Sequence, residues 1–181
     1  MSGRPFRCQV RLNLSDLDRN VYGERTIILA QHPDEPDQHI LLRFLMWVFF
    51  FDDRLEDGGG WTDKARPDVI GTNLVGTVQF WGEAGAPPIK RITRALNHHK
   101  DARVAVLFAD DEEADSFAHA LRSAKPRNPG RIERFRVSEQ LMTDLERIGN
   151  RNMQWDATIT EGELYLQCDG ESLSGSLQAL A

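Results

Sequence analysis

Cysteine is nearly absent: Cys8 and Cys168 are the two in 181 residues, with no CxxC and no histidines at zinc spacing. That excludes a disulfide framework and a structural zinc site, and it fits a reducing cytoplasm. Long apolar runs are missing too. The greasiest stretch, Ile40 to Phe51, is about twelve residues broken by Arg43, whereas a bilayer span needs roughly 20. It reads as a core helix. The opening MSGRPFRCQV lacks the apolar region of a signal peptide, so a soluble, cytoplasmic protein with no membrane partner is expected. Positive charge is scarce as well. Lysine plus arginine number 22 against 28 acids, a net charge of -6 and a pI near 5.4, which argues against coating nucleic acid by bulk electrostatics. A local basic groove stays open, because the charge is unevenly spread.

What is present is ordinary globular material, 40% hydrophobic and 28% charged, enough for one domain over 1–181 with a continuous core. No repeat or long linker divides it, and oligomeric state is not legible. Phe6 to Leu14 alternates apolar and polar residues, a half-buried strand, and Tyr22 to Leu29 returns as its hairpin partner. After the breaker His32–Asp37, with Asp37 as a cap, a helix is predicted over Gln38–Phe51, apolar nearly all round. Arg43 inside it snorkels at the helix edge or, if buried, needs an anion. Gly58-Gly59-Gly60 is predicted as a mobile loop, since no GK[ST] follows it. Asn73 to Glu83 is predicted as a strand, Pro87-Pro88 opens a helix to Lys100, and Ala102–Ala109 is a central strand. Asp110–Asp115, five acids in six residues, supplies helix N-terminal charge. Arg122–Arg136 holds six cations and one acid, a solvated basic loop or a phosphate-contacting rim. Ile132–Val137 is a strand and Ser138 caps a helix to about Ile148. Met153–Thr160 and Glu163–Gln167 flank a Glu161-Gly162 turn, and the tail after Asp169 is expected to be loosely held.

The stretch Arg66–Arg94 concentrates the chemistry. A Pro-Asp pair, a strand ending in glutamate, and a helix opening with lysine place Asp68, Glu83 and Lys90 where they could hold a hard divalent cation beside a phosphate. Each has a plainer role: a turn residue for Asp68, a solvent-facing strand end for Glu83, a surface lysine for Lys90. Trp81 is core or a shield over the site, and His98-His99 sits at a helix end.

The segments LNLSDLDRNVY (Leu12–Tyr22), LAQHPDEPDQHILLRFL (Leu29–Leu45), RLED (Arg54–Asp57), PDV (Pro67–Val69), FWGEAGAPPIKRI (Phe80–Ile92) and RNMQWDATITEGELYL (Arg151–Leu166) together resemble the YaeQ family. That family is similar to the PD-(D/E)XK nucleases. The resemblance implies an α/β fold, a restriction-endonuclease-like three-layer α/β/α arrangement with a mixed central sheet and flanking β-hairpins. It implies a Mg²⁺ site (Mn²⁺ as the alternative) on Asp68 and Glu83, and phosphodiester hydrolysis of nucleic acid. Gly85 stands where the superfamily carries its lysine, so Lys90 is the migrated amine. Gln79, on the strand face of Glu83, replaces the glutamate usual in the family. These departures keep an alternative open: a nuclease-like scaffold that no longer cuts and binds nucleic acid or a protein partner. A third reading is an enzyme acting on a small phosphorylated ligand.

Overall fold

A computed structural model describes residues 3–149 and 151–181. Met1 and Ser2, the start of the N-terminal segment read above, and Asn150 lie outside the described residues. Along the chain run β1 (Phe6–Asp16), β2 (Val21–Gln31), α1 (Asp37–Phe49), β3 (Leu55–Asp57), β4 (Val69–Thr72), β5 (Val78–Ala84) and α2 (Ile89–His98). Then follow β6 (Arg103–Phe108), α3 (Asp111–Ala124), β7 (Ile132–Val137), α4 (Glu139–Ile148), β8 (Asn152–Thr160), β9 (Glu163–Cys168) and β10 (Glu171–Leu180). This is a mixed α/β fold organised as two compact units. One comprises the chain up to Phe51 with Val137–Leu177, the other Asp52–Arg136 with Gln178–Ala181.

In the first unit the strands lie in the order β2-β1-β8-β9-β10. The β1/β2, β8/β9 and β9/β10 pairs are antiparallel, and β1/β8 is parallel. Period-2 alternation sends Cys8, Val10, Leu12 and Leu14 inward with Met153, Trp155, Ala157 and Ile159, and leaves Arg7, Arg11, Asn13, Gln154 and Asp156 exposed. The inward face meets α1, of which every residue from Ile40 to Val48 is buried. Phe44 packs edge-on to Trp155 with ring centroids 6.0 Å apart. Each such buried Leu, Ile, Phe or Met contributes about 1.5–3 kcal/mol. Helix α4 lies against β10 so closely that a Cβ on Gly175 would stand 2.6 Å from Leu141 Cβ.

Arg43 is buried and has its anion. Its Nη1 donates to Glu35 Oε1 at 2.9 Å and Oε2 at 3.2 Å, while His39 Nδ1 lies 2.6 Å from Glu35 Oε1. Glu35, His39 and Arg43 recur every four residues, so the breaker segment is tied to one face of α1. Burial opposes charge on Glu35, but the His39 hydrogen bond and the Arg43 guanidinium outweigh it and hold the carboxyl below the ordinary range. Asp37 does not cap α1: Pro36 holds the N-cap position, and Asp37 Oδ1 accepts from Gln31 Nε2 at 2.8 Å.

In the second unit the order is β7-β6-β5-β4-β3, antiparallel from β3 to β5 and parallel from β5 to β7. Trp81, Val104, Val106 and Phe108 pack with Ile92 and Leu96 of α2 and Phe117 and Leu121 of α3. Asp110 caps α3, its carboxylate accepting from Glu113 N at 2.9 Å, with Asp111, Glu112 and Glu113 in the first turn.

Several expectations are corrected. The strand expected from Asn73 begins only at Val78. Residues 73–77 form a turn in which Asn73 Oδ1 accepts from Val75 N and Thr77 N, and Gly76 takes φ +84°. Leu74 and Val75 therefore stand in solvent, 88% and 84% exposed; their apolar character imitated strand alternation, while Asn and Gly set the backbone. The tail after Asp169 is not loose: β10 pairs with β9 from Glu171 to Ser176. Ser138 stands at the N-cap of α4 but its hydroxyl serves the sheet, accepting from Ser176 N at 3.2 Å. The basic stretch is no continuous solvated rim. Arg131 donates to the carbonyls of Leu96, His99 and Ala102, closing the C-terminal end of α2, and Arg136 pairs with Asp111 and Gln178.

The triglycine is packed rather than mobile. Gly58 and Gly60 are buried, Gly58 N donates to Asp68 O at 2.9 Å, and a Cβ on Gly58 would stand 2.0 Å from Pro67 O. Gly59, at φ +72°, has open space around its Cβ position. Gly58→Ala is therefore expected to cost about 3 kcal/mol or more, because backbone must move. Gly59→Ala is expected to cost about 1 kcal/mol, for the left-handed backbone alone. Urea unfolding of the two variants checks the contrast; equal losses would contradict the packing.

Candidate functional site

The antiparallel register Val69↔Gly82, with Asp68 N donating to Gly82 O at 3.0 Å, carries Asp68 to the level of Glu83 on the neighbouring strand. Both carboxylates are fully buried, at 0% exposure. The turn through Gly85 reverses the chain into α2, which lays Arg91 over the pair. Arg91 grips Glu83 with two nitrogens, Nε to Oε1 at 2.8 Å and Nη2 to Oε2 at 2.5 Å, and Nη2 stands 3.8 Å from Asp68 Oδ2. Its remaining nitrogen, Nη1, donates to Gly60 O at 2.8 Å. Trp81 Nε1 donates to Glu83 Oε1 at 2.8 Å, and Ala84 N donates to Asp68 Oδ2 at 2.8 Å. His99 stacks on the Trp81 ring with centroids 5.3 Å apart.

Two buried carboxylates face one guanidinium, so an excess negative charge has no water to screen it. Burial first, and the Asp68 carboxylate second, push the Glu83 carboxyl up to about 8, against the lowering by Arg91 and Trp81. The pair therefore keeps a proton into the neutral range. A proton and a guanidinium together balance the two carboxylates.

Of the residues singled out in the sequence, Asp68 and Glu83 come together. Lys90 and Gln79 do not join them: both are exposed, Lys90 in the first turn of α2 and Gln79 near the start of β5. Arg91, Trp81 and the Gly60 carbonyl complete the arrangement instead. The signal for Arg91 was present in α2. Lys90, Arg94 and Asn97 share one polar face, whereas Arg91 shares the buried face with Ile92, Ala95 and Leu96.

As arranged, this donor set does not fit a divalent ion. Both Glu83 oxygens already accept charged or indole N–H groups, and a permanent cation, the Arg91 guanidinium, lies against the pair. Among the described residues no three His, Cys, Asp or Glu side chains gather as a ligand set. Thiol chemistry has no foothold either: Cys8 and Cys168 are free and buried, and burial first, with Asp169, pushes Cys168 up to about 11.

The fold and this site define a mixed α/β protein with a buried carboxylate pair held by an arginine. The YaeQ protein family matches residues 1–177, and the chain belongs to that family. The uncharacterised YaeQ proteins of Salmonella typhi and Escherichia coli K12 are 27% and 26% identical over 168 residues, 93% of this chain and 91% of each relative. The crystal structure of the Xanthomonas axonopodis pv. citri YaeQ protein has a TM-score of 0.82 at 26% identity, covering 97% of each chain. The Pseudomonas syringae YaeQ protein shares the fold at a TM-score of 0.83 and 24% identity, over 98% of this chain and 96% of that one. Among the described residues no helix is long and apolar enough to cross a membrane.

Proposed function

We propose that this YaeQ-family chain is a nuclease-like scaffold that binds nucleic acid without cutting it, its inherited carboxylate pair held by an internal cation. The observation that carries this reading is the Arg91 fork on Glu83, buried at 7% exposure and 3.8 Å from Asp68. A guanidinium remains charged at any working pH and binds a carboxylate through two parallel hydrogen bonds. It does for Asp68 and Glu83 what a divalent ion would do in a cutting enzyme. The likeness to PD-(D/E)XK nucleases, including their three-layer arrangement, belongs to this proposal. It is supported by a Pro-Asp and a following-strand glutamate meeting at neighbouring strands of a mixed sheet.

A second reading, a Mg²⁺- or Mn²⁺-dependent phosphodiesterase, is favoured by one observation: burial first, and then the Asp68 charge, which Arg91 offsets in part, hold Glu83 well above the ordinary carboxylate range. It requires Arg91 to leave the pair. Incubation with end-labelled single- and double-stranded DNA and RNA in Mg²⁺ or Mn²⁺ separates the two. The scaffold reading expects intact substrate throughout. Products that disappear in Asp68→Asn would overturn it and establish the second.

A further inference from the structure

We propose that the helix-free face of the first unit's sheet is a binding site for single-stranded nucleic acid, with Arg7 and Arg11 holding its phosphates. This site is independent of the carboxylate pair. Residues of β1 alternate strictly, so Arg7, Gln9 and Arg11 project to the side opposite the buried Cys8, Val10 and Leu12. Successive outward positions on a strand are about 6.6 Å apart, which places the two arginines about 13 Å apart along one line. The parallel register Gln9↔Asn152 and Arg11↔Gln154 sets an amide of β8 beside each of two rows, about 4.8 Å away. Together with Asp169 these side chains border a shallow depression of about 490 Å³. A second depression of about 390 Å³ adjoins it, sharing Arg11 and Gln154.

Charge selects the occupant. Arg19, Arg43, Arg91, Arg103, Arg136 and Arg147 all form ion pairs. Arg7 and Arg11 form none among the described residues: Arg7 donates to Gln9 Oε1 at 3.1 Å, and the Arg11 guanidinium meets no acceptor among them. Two exposed, uncompensated guanidinium groups on a flat face suit successive anions of a chain rather than one enclosed ligand. The acids nearby are occupied or lie a row away. Asp169 Oδ1 accepts from Gln154 N at 3.2 Å, and Asp156 Oδ1 accepts from Asn13 Nδ2 at 3.3 Å. Glu24 and Asp156 flank Asn13 in one cross-strand row, so the path runs along β1 from Arg11 toward Arg7 and not past Asn13. Amides carry donors and acceptors together, which matches base edges, whereas an acidic peptide would call for donors alone. A sheet face displaying amides and arginines suits unpaired bases better than a duplex, whose base edges are paired away from it.

Fluorescence anisotropy of the full chain with a labelled 12-nucleotide single strand, its duplex, and a poly-glutamate competitor tests the proposal. The single strand is expected to bind, more tightly than the duplex, and Arg7→Ala/Arg11→Ala to weaken it at least tenfold. The slope of log K against log salt should fall by about 1.4 in magnitude, roughly 0.7 for each lost phosphate contact. The thermal midpoint of that variant should match wild type, because neither arginine pairs within the fold. Arg122→Ala/Arg127→Ala, on α3 and the loop after it, should bind as wild type does. Absent binding, an unchanged affinity in the Arg7/Arg11 variant, preference for the duplex, or displacement by poly-glutamate at equal charge would each overturn the proposal. Cleavage is read on products and binding on anisotropy, so this result and that on the carboxylate pair are told apart.

Discussion

Arg91→Ala is expected to cost about 3–5 kcal/mol near pH 8 and distinctly less near pH 5. Removing the guanidinium takes its counter-charge from two carboxylates at 0% exposure, to which Trp81 Nε1 and Ala84 N donate. An uncompensated buried charge is the costliest single defect of this kind. At low pH the Glu83 carboxyl holds its proton and the defect shrinks. The direction in the wild type follows from the same group. Glu83 is held at about 8 against 4.5 for an ordinary glutamate. Between those values the folded protein retains a proton that the unfolded chain has released, so this group's contribution to stability is full below about pH 4.5 and is lost as pH rises toward 8. Without Arg91 the carboxyl moves further up and the decline continues to higher pH. Urea unfolding of both proteins across pH 5–9 measures this. A constant offset at every pH would mean that Arg91 acts by packing alone.

Glu35→Gln is expected to cost a similar amount, about 3–5 kcal/mol at neutral pH, and to show the opposite pH dependence. Glu35 accepts from Arg43 through both oxygens, from the His32 N–H at 3.2 Å, and lies 2.6 Å from His39 Nδ1, with its own side chain at 0% exposure. The amide keeps the shape but leaves the Arg43 guanidinium buried without its counter-charge. Because the Glu35 carboxyl is held below the ordinary range, its stabilisation is present above about pH 4.5 and is lost as pH falls through the lowered folded value. The wild type should therefore lose stability on acidification that the variant never had, and the gap between their urea midpoints should narrow as pH falls below the ordinary carboxylate range. A gap that widens on acidification would contradict this assignment.

These two clusters also mark what the sequence could and could not disclose. The need of Arg43 for an anion was readable from its place in an apolar helix. That Glu35 supplies it depends on how the chain enters α1, which local pattern does not encode. The half-buried strands β1, β2, β8 and β9 were readable because one face of each is core and the other is solvent. Strand β10 was not, since serine and glycine alternate with few apolar residues and its order comes from pairing with β9. Asp68 and Glu83 stood out through their motif, whereas Arg91 sits one residue from the lysine favoured by that motif. Adjacent helix positions point about 100° apart, so the phase of α2 decides which of Lys90 and Arg91 enters the site. The triglycine looked mobile because close approach of backbone to backbone leaves no trace in composition. Its function is to let the Gly60 carbonyl reach Arg91 and the Gly58 N–H reach Asp68 O.

The central claim is that Arg91 occupies the cation position of the carboxylate pair. Titration calorimetry with Mn²⁺, alone and with a short oligonucleotide present, tests it most directly on the wild-type protein and on Arg91→Ala. The account predicts no saturable binding by the wild type in either condition, and binding that emerges in Arg91→Ala at pH values where Glu83 is ionised. Saturable Mn²⁺ binding by the wild type that is lost in Asp68→Ala and Glu83→Ala, with both variants folded, would contradict it and show a metal centre that Arg91 yields to.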